Sequence, residues 1–467
     1  MDSTTLLVGT LGYVMIIAMV ITLFKSKTIP SIAFIAFPTV LGLILVACGY
    51  YSIEQIGALV KGGFGSTGAT AALFVFSVLY FGIMTDAGLF DVVIGKLMGL
   101  IGNSVIGVCV MTSIIAIIGH LDGGGASTFL IVVPSMLPVY KKMHMKPTSL
   151  LRITVLSMGV MNLMPWAGPT MRAASVLGME AGKLWGTLIP IQIFGILLSL
   201  GHAVVTGMQE KARGAGLNGK LAETEGEVVL DESAKEQANE LARPKLFWFN
   251  FVLTIAVIAL LVWDQFPSYY PFMLGVAIAI LVNYGSSVKM QKKIINLHAG
   301  PALMMCSTLM GAAVLMGILV YGFNVDGKAV IAKPGVEIQI ASVVTCMAEM
   351  VKLILPQFLG QHLPLVIGVL SVPLALAFDT DSYFYGMLPV VIAIGAGFGV
   401  EALPIAVAMV VCRNCATFIS PMVPATLLGV GLAEVDIKDH IKNSFLYVWG
   451  FSILCMIVAV IFGILPL

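Results

Sequence analysis

Four short stretches of this 467-residue chain place carboxylates, hydroxyls and amides inside otherwise apolar sequence. Two are rich in glycine or acid: His120-Leu-Asp-Gly-Gly-Gly-Ala-Ser-Thr128 and Phe378-Asp-Thr-Asp-Ser-Tyr383. Two carry proline: Met161-Asn-Leu-Met-Pro-Trp-Ala-Gly-Pro-Thr170 and Arg413-Asn-Cys-Ala-Thr-Phe-Ile-Ser-Pro-Met-Val-Pro424. Glycine is poor in helices, so Gly123 and Gly124 invite an open backbone. Pro165 and Pro421 each remove a donor and free a carbonyl. Amide N–H groups at helix starts attract anions. Ser127, Thr128, Thr380, Ser382 and Thr417 add hydroxyl donors, and Asn162, Trp166, Thr170, Asn414 and Ser420 lie in the proline breaks. Free carbonyls and the carboxylates of Asp122, Asp379 and Asp381 attract cations or protons. One site can therefore hold an anionic substrate beside a coupling cation.

Arg413 is the single most informative residue. An arginine within an apolar segment is costly and usually functional, and its fork grips a carboxylate in two places. Its other reading is a counter-ion opposite Asp379 or Asp381. Arg172 has a similar case nearer the outer end of its run. His120 suits a proton shuttle or a hydrogen-bonded structural role. His202 reads as structural, and Asp86 and Asp326 as caps or interfacial charges. No Ser–His or His-Glu-x-x-His constellation points to an enzyme.

These residues must be positioned by a membrane protein. Hydrophobic residues make up 59% of the chain and charged residues 10%, against roughly a quarter charged in soluble domains. Mean hydropathy is +1.03. The net charge of +1 implies no nucleic acid or other acidic macromolecular partner. The seven cysteines sit mostly in apolar runs, and Cys412 and Cys415 form a lone CxxC that does not make a zinc site. Apolar runs fall at 6–23, 30–47, 69–89, 104–140, 150–177 and 184–206, then at 247–263, 270–285, 300–323, 362–397, 403–430 and 443–465. The first reads as a retained span, since no basic residue precedes it and no small-residue cleavage signal follows. Residues 207–246, with fourteen charges, form a polar linker. Residues 338–358, interrupted by Glu349 and Lys352, fit the membrane interface. With the N-terminus outside, inner loops hold eighteen Lys and Arg and outer loops four (Lys61, Lys183, Lys328 and Lys333). That bias makes the linker cytoplasmic in a plasma-membrane protein.

The landmarks recur. Asp122 and Asp379 lie 257 positions apart, and Pro165 and Pro421 lie 256 apart. Thr85-Asp-Ala-Gly88 faces Val325-Asp-Gly327, and Leu177-Gly-Met179 faces Val430-Gly-Leu432. Each half has five spanning runs plus one long run with a central break. Five is odd, so the halves are inverted. The predicted fold is an all-α membrane protein of two inverted repeats, 1–206 and 247–467, each of five transmembrane helices plus a re-entrant hairpin. The hairpins are 104–140, turning at Asp122–Ala126, and 362–397, turning at Asp379–Ser382. Paired breaks in inverted halves are the sequence pointer to a transporter site.

Several motifs resemble the CitMHS family of citrate–metal symporters, within the larger ion-transporter superfamily. Tyr80-Phe-Gly-Ile-Met-Thr-Asp-Ala-Gly-Leu-Phe-Asp91 is similar to the family's third span, and His120–Leu130 resembles its Leu-Asp-Gly-Asp-Gly tip. Met161-Asn-Leu-Met-Pro-Trp-Ala-Gly168 resembles its Met-Asn-x-x-Pro-Trp-Gly-Gly, and Asp379–Pro389 and Ser420–Leu432, with Asp439-His440 following, resemble its second-half motifs. The resemblance implies secondary active transport of citrate or a related carboxylate, moved as a divalent-metal complex with protons. Asp122, Asn162, Asp381 and Ser420 sit at family motif positions. Gly124 stands where the family has a second tip aspartate, Phe378-Asp-Thr-Asp381 where it more often has Ser-Asn-Asp, and Arg413-Asn-Cys415 replaces a neutral stretch. An arginine can neutralise a carboxylate in place of a metal, so a free di- or tricarboxylate is the alternative cargo. Rival readings are a sodium-coupled dicarboxylate, lactate or gluconate carrier and an anion channel. No bound cofactor is expected, only a co-transported proton, sodium, or Mg²⁺ or Ca²⁺ complexed with substrate. No residues are assigned as metal ligands. A homodimer is a possible assembly.

Overall fold

The computed structural model describes residues 2–25, 27–100, 102, 104–216, 240–263, 265–331 and 336–466. Most of the expected linker, with Lys220 and Lys235, and also Lys333, lie outside the described residues. The first half comprises α1 (Ser3–Phe24), α2 (Pro30–Ala47), α3 (Ile53–Asp86), α4 (Leu89–Met98), α5 (Val105–Gly119), α6 (Gly125–Lys142), α7 (Pro147–Met161), α8 (Gly168–Leu177) and α9 (Ala181–Ala212). The second comprises α10 (Phe247–Trp263), α11 (Tyr269–Tyr284), α12 (Val288–Val320), α13 (Val343–Lys352), α14 (Gln357–Gln361), α15 (Leu363–Ala375), α16 (Leu388–Gly397), α17 (Ala402–Cys415), α18 (Pro424–Leu432) and α19 (Ile437–Ile461). Seven stretches of described helix are long and apolar enough to cross a bilayer, which makes this a multi-pass integral membrane protein.

Local sequence explains the boundaries. Asp2 accepts the Thr5 amide at 2.9 Å and starts α1. Ser52 and Gln55 form a reciprocal capping box that starts α3, well before the apolar run at residue 69. Lys61, expected in an outer loop, consequently lies on α3. Lys289, Lys292 and Lys293 likewise ride on α12, and α9 continues six residues beyond 206. Gly88, at φ +79°, turns the chain from α3 into α4.

The four expected breaks appear as helix interruptions. Helix α5 has 15 residues and α15 has 13, about 22 and 20 Å at 1.5 Å per residue. Both fall short of a hydrocarbon core of about 30 Å. The pairs α5/α6 and α15/α16 are therefore hairpins. A π-helical turn, Ser382–Met387, leads into α16, and a 3₁₀ turn, Thr417–Ile419, follows α17.

One departure from an all-helical chain follows α12. Strands β1 (Tyr321–Asn324), β2 (Ala329–Ile331) and β3 (Ile338–Ile340) form an antiparallel sheet in the order β2-β1-β3. Gly327 takes φ +71°, and the Asn324 side chain accepts the Lys328 amide at 2.8 Å, closing the β1–β2 turn. The 338–358 stretch becomes β3, α13 and the start of α14. Helix α13 is too short to cross. It buries Val343, Val344 and Met347 while its exposed edge carries a 2.6 Å Lys352–Glu349 pair.

Packing is reciprocal between the halves. Helices α3 and α12 run along each other, α2 packs on α12, and α11 packs on α3. Helix α1 covers α13 as α10 touches α4. The hairpins pack elsewhere, α5 against α7 and α9, α15 against α17 and α19. Contacts of α6 with α18 and of α7 with α17 join the halves between the tips.

Glycines set the α3–α12 spacing. A side chain at Gly63 would meet the Gly317 amide at 2.8 Å, and one at Gly317 would meet the Leu59 carbonyl. Close backbone approach of this kind is the usual basis of helix association in lipid. Gly317→Leu is expected to destabilise the protein by about 2–3 kcal/mol, the scale of overpacking. Thermal unfolding in detergent checks this, and an unchanged transition would mean that the contact does not support the fold.

Candidate functional site

The first tip is a closed hydrogen-bonded unit. Gly123 adopts φ +71°, a conformation open to glycine. One Asp122 oxygen accepts the Gly124 amide at 2.7 Å and the other accepts the Ser127 hydroxyl. A β-carbon at position 124 would lie 2.9 Å from the Asp122 carboxylate. Glycine at 124 therefore lets Asp122 fold back onto its own loop. Thr128 serves the hairpin too: its hydroxyl contacts the Gly124 carbonyl at 2.8 Å and the His120 ring at 2.6 Å.

The first proline break holds this tip. The other His120 ring nitrogen reaches Asn162 Oδ1 at 3.1 Å, and Trp166 donates to the Leu121 carbonyl at 2.8 Å. Thr170 donates to the freed Asn162 carbonyl at 2.9 Å. The same carbonyl accepts Asn414 Nδ2 from the opposite half at 3.1 Å. Phe418 packs edge-on to His120 and Phe129, 5.3 and 5.9 Å between ring centres. Asn162, Asn414 and the first tip thus meet.

The second tip is held by two buried arginines. Asp379 accepts the Asp381 and Ser382 amides at 3.1 and 3.4 Å, folding back as Asp122 does. Arg413, fully buried, donates to the Phe378 carbonyl at 3.2 Å and to Thr417 at 3.3 Å, and lies over the Tyr383 ring. The alternative reading set Arg413 as a counter-ion opposite Asp379 or Asp381; among the described residues it makes no direct ion pair with either, though Asp379 lies close enough for their charges to interact. Asp381 instead accepts Arg172 Nε of α8 at 2.5 Å. Gly168 leaves the room, since a β-carbon there would strike the Arg172 guanidinium. Thr380 is half-buried between the two aspartates. Ser420 is buried and accepts the Met422 amide at 3.2 Å.

The sequence-derived candidates thus divide. Thr128, Trp166, Thr170 and Ser420 spend polar groups on holding the breaks, and Ser127 is tied to Asp122. Asn162 Nδ2, Asn414 Oδ1, Ser382 Oγ and Arg413 Nε are buried without a partner within hydrogen-bond distance. Buried polar atoms of this kind call for an explanation, and four of them lie in the breaks and the second tip. Each has hydrogen-bonding capacity to spare. Sequence reasoning ranked Arg172 below Arg413, and it passed over Tyr385. The only sequence signal for Tyr385 is its place four residues beyond Asp381 in the second hairpin.

The comparisons agree with this architecture. The model of the CitMHS citrate transporter family matches residues 4–412. A citrate transporter of Bacillus subtilis (strain 168) is 32% identical over 457 residues, 97% of this chain and 99% of that protein. A Mg²⁺/citrate complex secondary transporter of the same organism is 31% identical over 432 residues, 92% and 93% of the two chains. The crystal structure of the Alcanivorax borkumensis YdaH transporter, described as having an unusual topology, superposes with a TM-score of 0.57 at 13% identity. That likeness covers 93% of this chain and 99% of that one and concerns the fold. Paired hairpins, paired proline breaks and whole-length similarity lead to one conclusion: this chain belongs to the CitMHS citrate transporter family.

Proposed function

We propose that the protein is a secondary active transporter that carries citrate or a related di- or tricarboxylate, coupled to protons or another cation. The observation that carries this reading is the placement of two buried arginines, Arg172 and Arg413, on broken helices around the second tip. Buried guanidinium groups suit a polyanionic cargo. Gly123, Gly124, Asn162, Ser382, Arg413, Asn414 and Thr417 would contact it. Asp122, Asp379 and Asp381 are the carboxylates that would take the coupling cation or proton on giving up their present partners. The Lys and Arg bias supports an outside N-terminus and a cytoplasmic linker.

A second reading is cargo moved as a metal complex. The relative described as a Mg²⁺/citrate complex transporter favours it. Asp122 and Asp379 favour free carboxylate, because each is turned back onto its own loop. Labelled citrate uptake into proteoliposomes, under an inward proton gradient and with or without Mg²⁺, separates these readings. Gradient-driven accumulation without metal is expected. Strict dependence on Mg²⁺ would establish the metal complex, and absence of carboxylate uptake by folded protein would refute the function.

Arg413→Ala should raise the citrate concentration for half-maximal uptake at least tenfold, the scale of losing a charge-assisted contact. Arg413→Lys should recover only part of this, since lysine keeps the charge but lacks the fork. Unchanged half-saturation in both variants would remove Arg413 from the site.

A further inference from the structure

The Arg172–Asp381 pair lies in a setting that a structural ion pair does not require. A cavity of about 10 Å³, room for no more than a water molecule, adjoins it, lined by Phe74, Gly168, Arg172, Thr308, Asp381 and Tyr385, so a second carboxylate enters only where Asp381 gives way. The Tyr385 hydroxyl lines this cavity and is buried with no partner within hydrogen-bond distance, while Ser175, one turn beyond Arg172, is buried beside it and does not line the cavity. A guanidinium and one unpartnered hydroxyl facing the same cavity suit an anion. In this structure a carboxylate already touches the guanidinium, and it is the chain's own.

We infer that Arg172 and Tyr385 form a second carboxylate subsite for the cargo, and that Asp381 is an internal competitor for it. This deepens and rests on the carboxylate-carrier reading. The single Arg172 Nε–Asp381 Oδ1 contact is not the two-point grip an arginine gives a free carboxylate. A cargo carboxylate that takes Arg172 leaves Asp381 a buried anion without its partner. Such an anion must be neutralised. A cation or proton arriving at Asp381 meets that need, so cargo and cation each favour the other's binding. The groups facing Asp381 allow this. Asp379, on the same hairpin, adds negative charge, and Tyr385 is neutral. Arg413 is engaged with Phe378 and Thr417, while α3 and α12 offer Phe74, Met305 and Thr308, none of them ionisable. The pair thereby couples the two fluxes through one shared arginine.

The test uses the full-length protein and citrate as the probe, with binding measured in detergent and flux in proteoliposomes. Asp381→Asn is expected to bind citrate about tenfold more tightly, since the competitor has lost its charge. It should keep citrate–citrate exchange and lose gradient-driven accumulation. Tyr385→Phe removes one hydroxyl and is expected to weaken citrate binding about tenfold. Full accumulation by Asp381→Asn overturns the inference, as does loss of citrate binding in that variant while monodisperse. Should Asp381→Asn fail to fold, Tyr385→Phe decides, and unchanged affinity there overturns the subsite. Failure of the wild-type protein to bind any carboxylate refutes the carrier reading and this inference together, whereas failure in the variants alone refutes only the inference.

Discussion

Four helix interruptions lie within apolar stretches, and each releases amides and carbonyls that hydrocarbon cannot solvate. An unpaired peptide group in that medium costs several kcal/mol. The rest of the central structure follows from finding partners for those groups. The Leu121 carbonyl goes to Trp166, the Asn162 carbonyl to Thr170 and Asn414, and the Phe378 carbonyl to Arg413. Most of these partners come from the same half, and Asn162 and Asn414 tie the two halves together at the centre. The two halves thereby share one polar centre.

The same constraint separates the elements by role. Helices α3 and α12 press backbone to backbone through Gly63 and Gly317 and form a stiff spine. The hairpins rest on α7, α9, α17 and α19 instead. Few charged groups bridge the two groups of elements at the site, and Arg172–Asp381 links α8 to the second hairpin within one group. In the proposed carrier the hairpins and broken helices hold cargo while the spine stays fixed. Alternating access then needs rigid-body movement between them rather than refolding.

Much of this was legible in the sequence because glycine, proline and charge are anomalous in lipid. The runs Asp122–Gly125 and Asp379–Ser382 stood out for that reason. The first hairpin turns at 120–124, but the second turns at 376–379, ahead of the expected Asp379–Ser382, so that Thr380, Asp381 and Ser382 already belong to the helical arm that follows. Asn162 and Asn414 stood out for the same reason and proved to be joined. What was not legible depended on which partner a polar group finds. Sequence offered Arg413 the aspartates as counter-ions, but Arg172 reaches Asp381 from α8, and Arg413 takes a carbonyl instead. The short sheet after α12 escaped notice because its strands are three or four residues long and spread across a polar stretch between apolar runs. The early start of α3 escaped because Lys61, Gly62, Gly63, Gly65 and Gly68 interrupt its apolar pattern, and its start is set by a cap.

The central claim is that both tips line one cargo site. The direct measurement places a single cysteine at Ala126 or at Thr380 in a cysteine-free protein and follows its labelling by membrane-impermeant thiol reagents. Citrate should slow labelling at both positions, and each should react from either face of the membrane as the carrier turns over. Protection at one tip alone, or a tip that reacts only from one face with and without citrate, would contradict a shared central site.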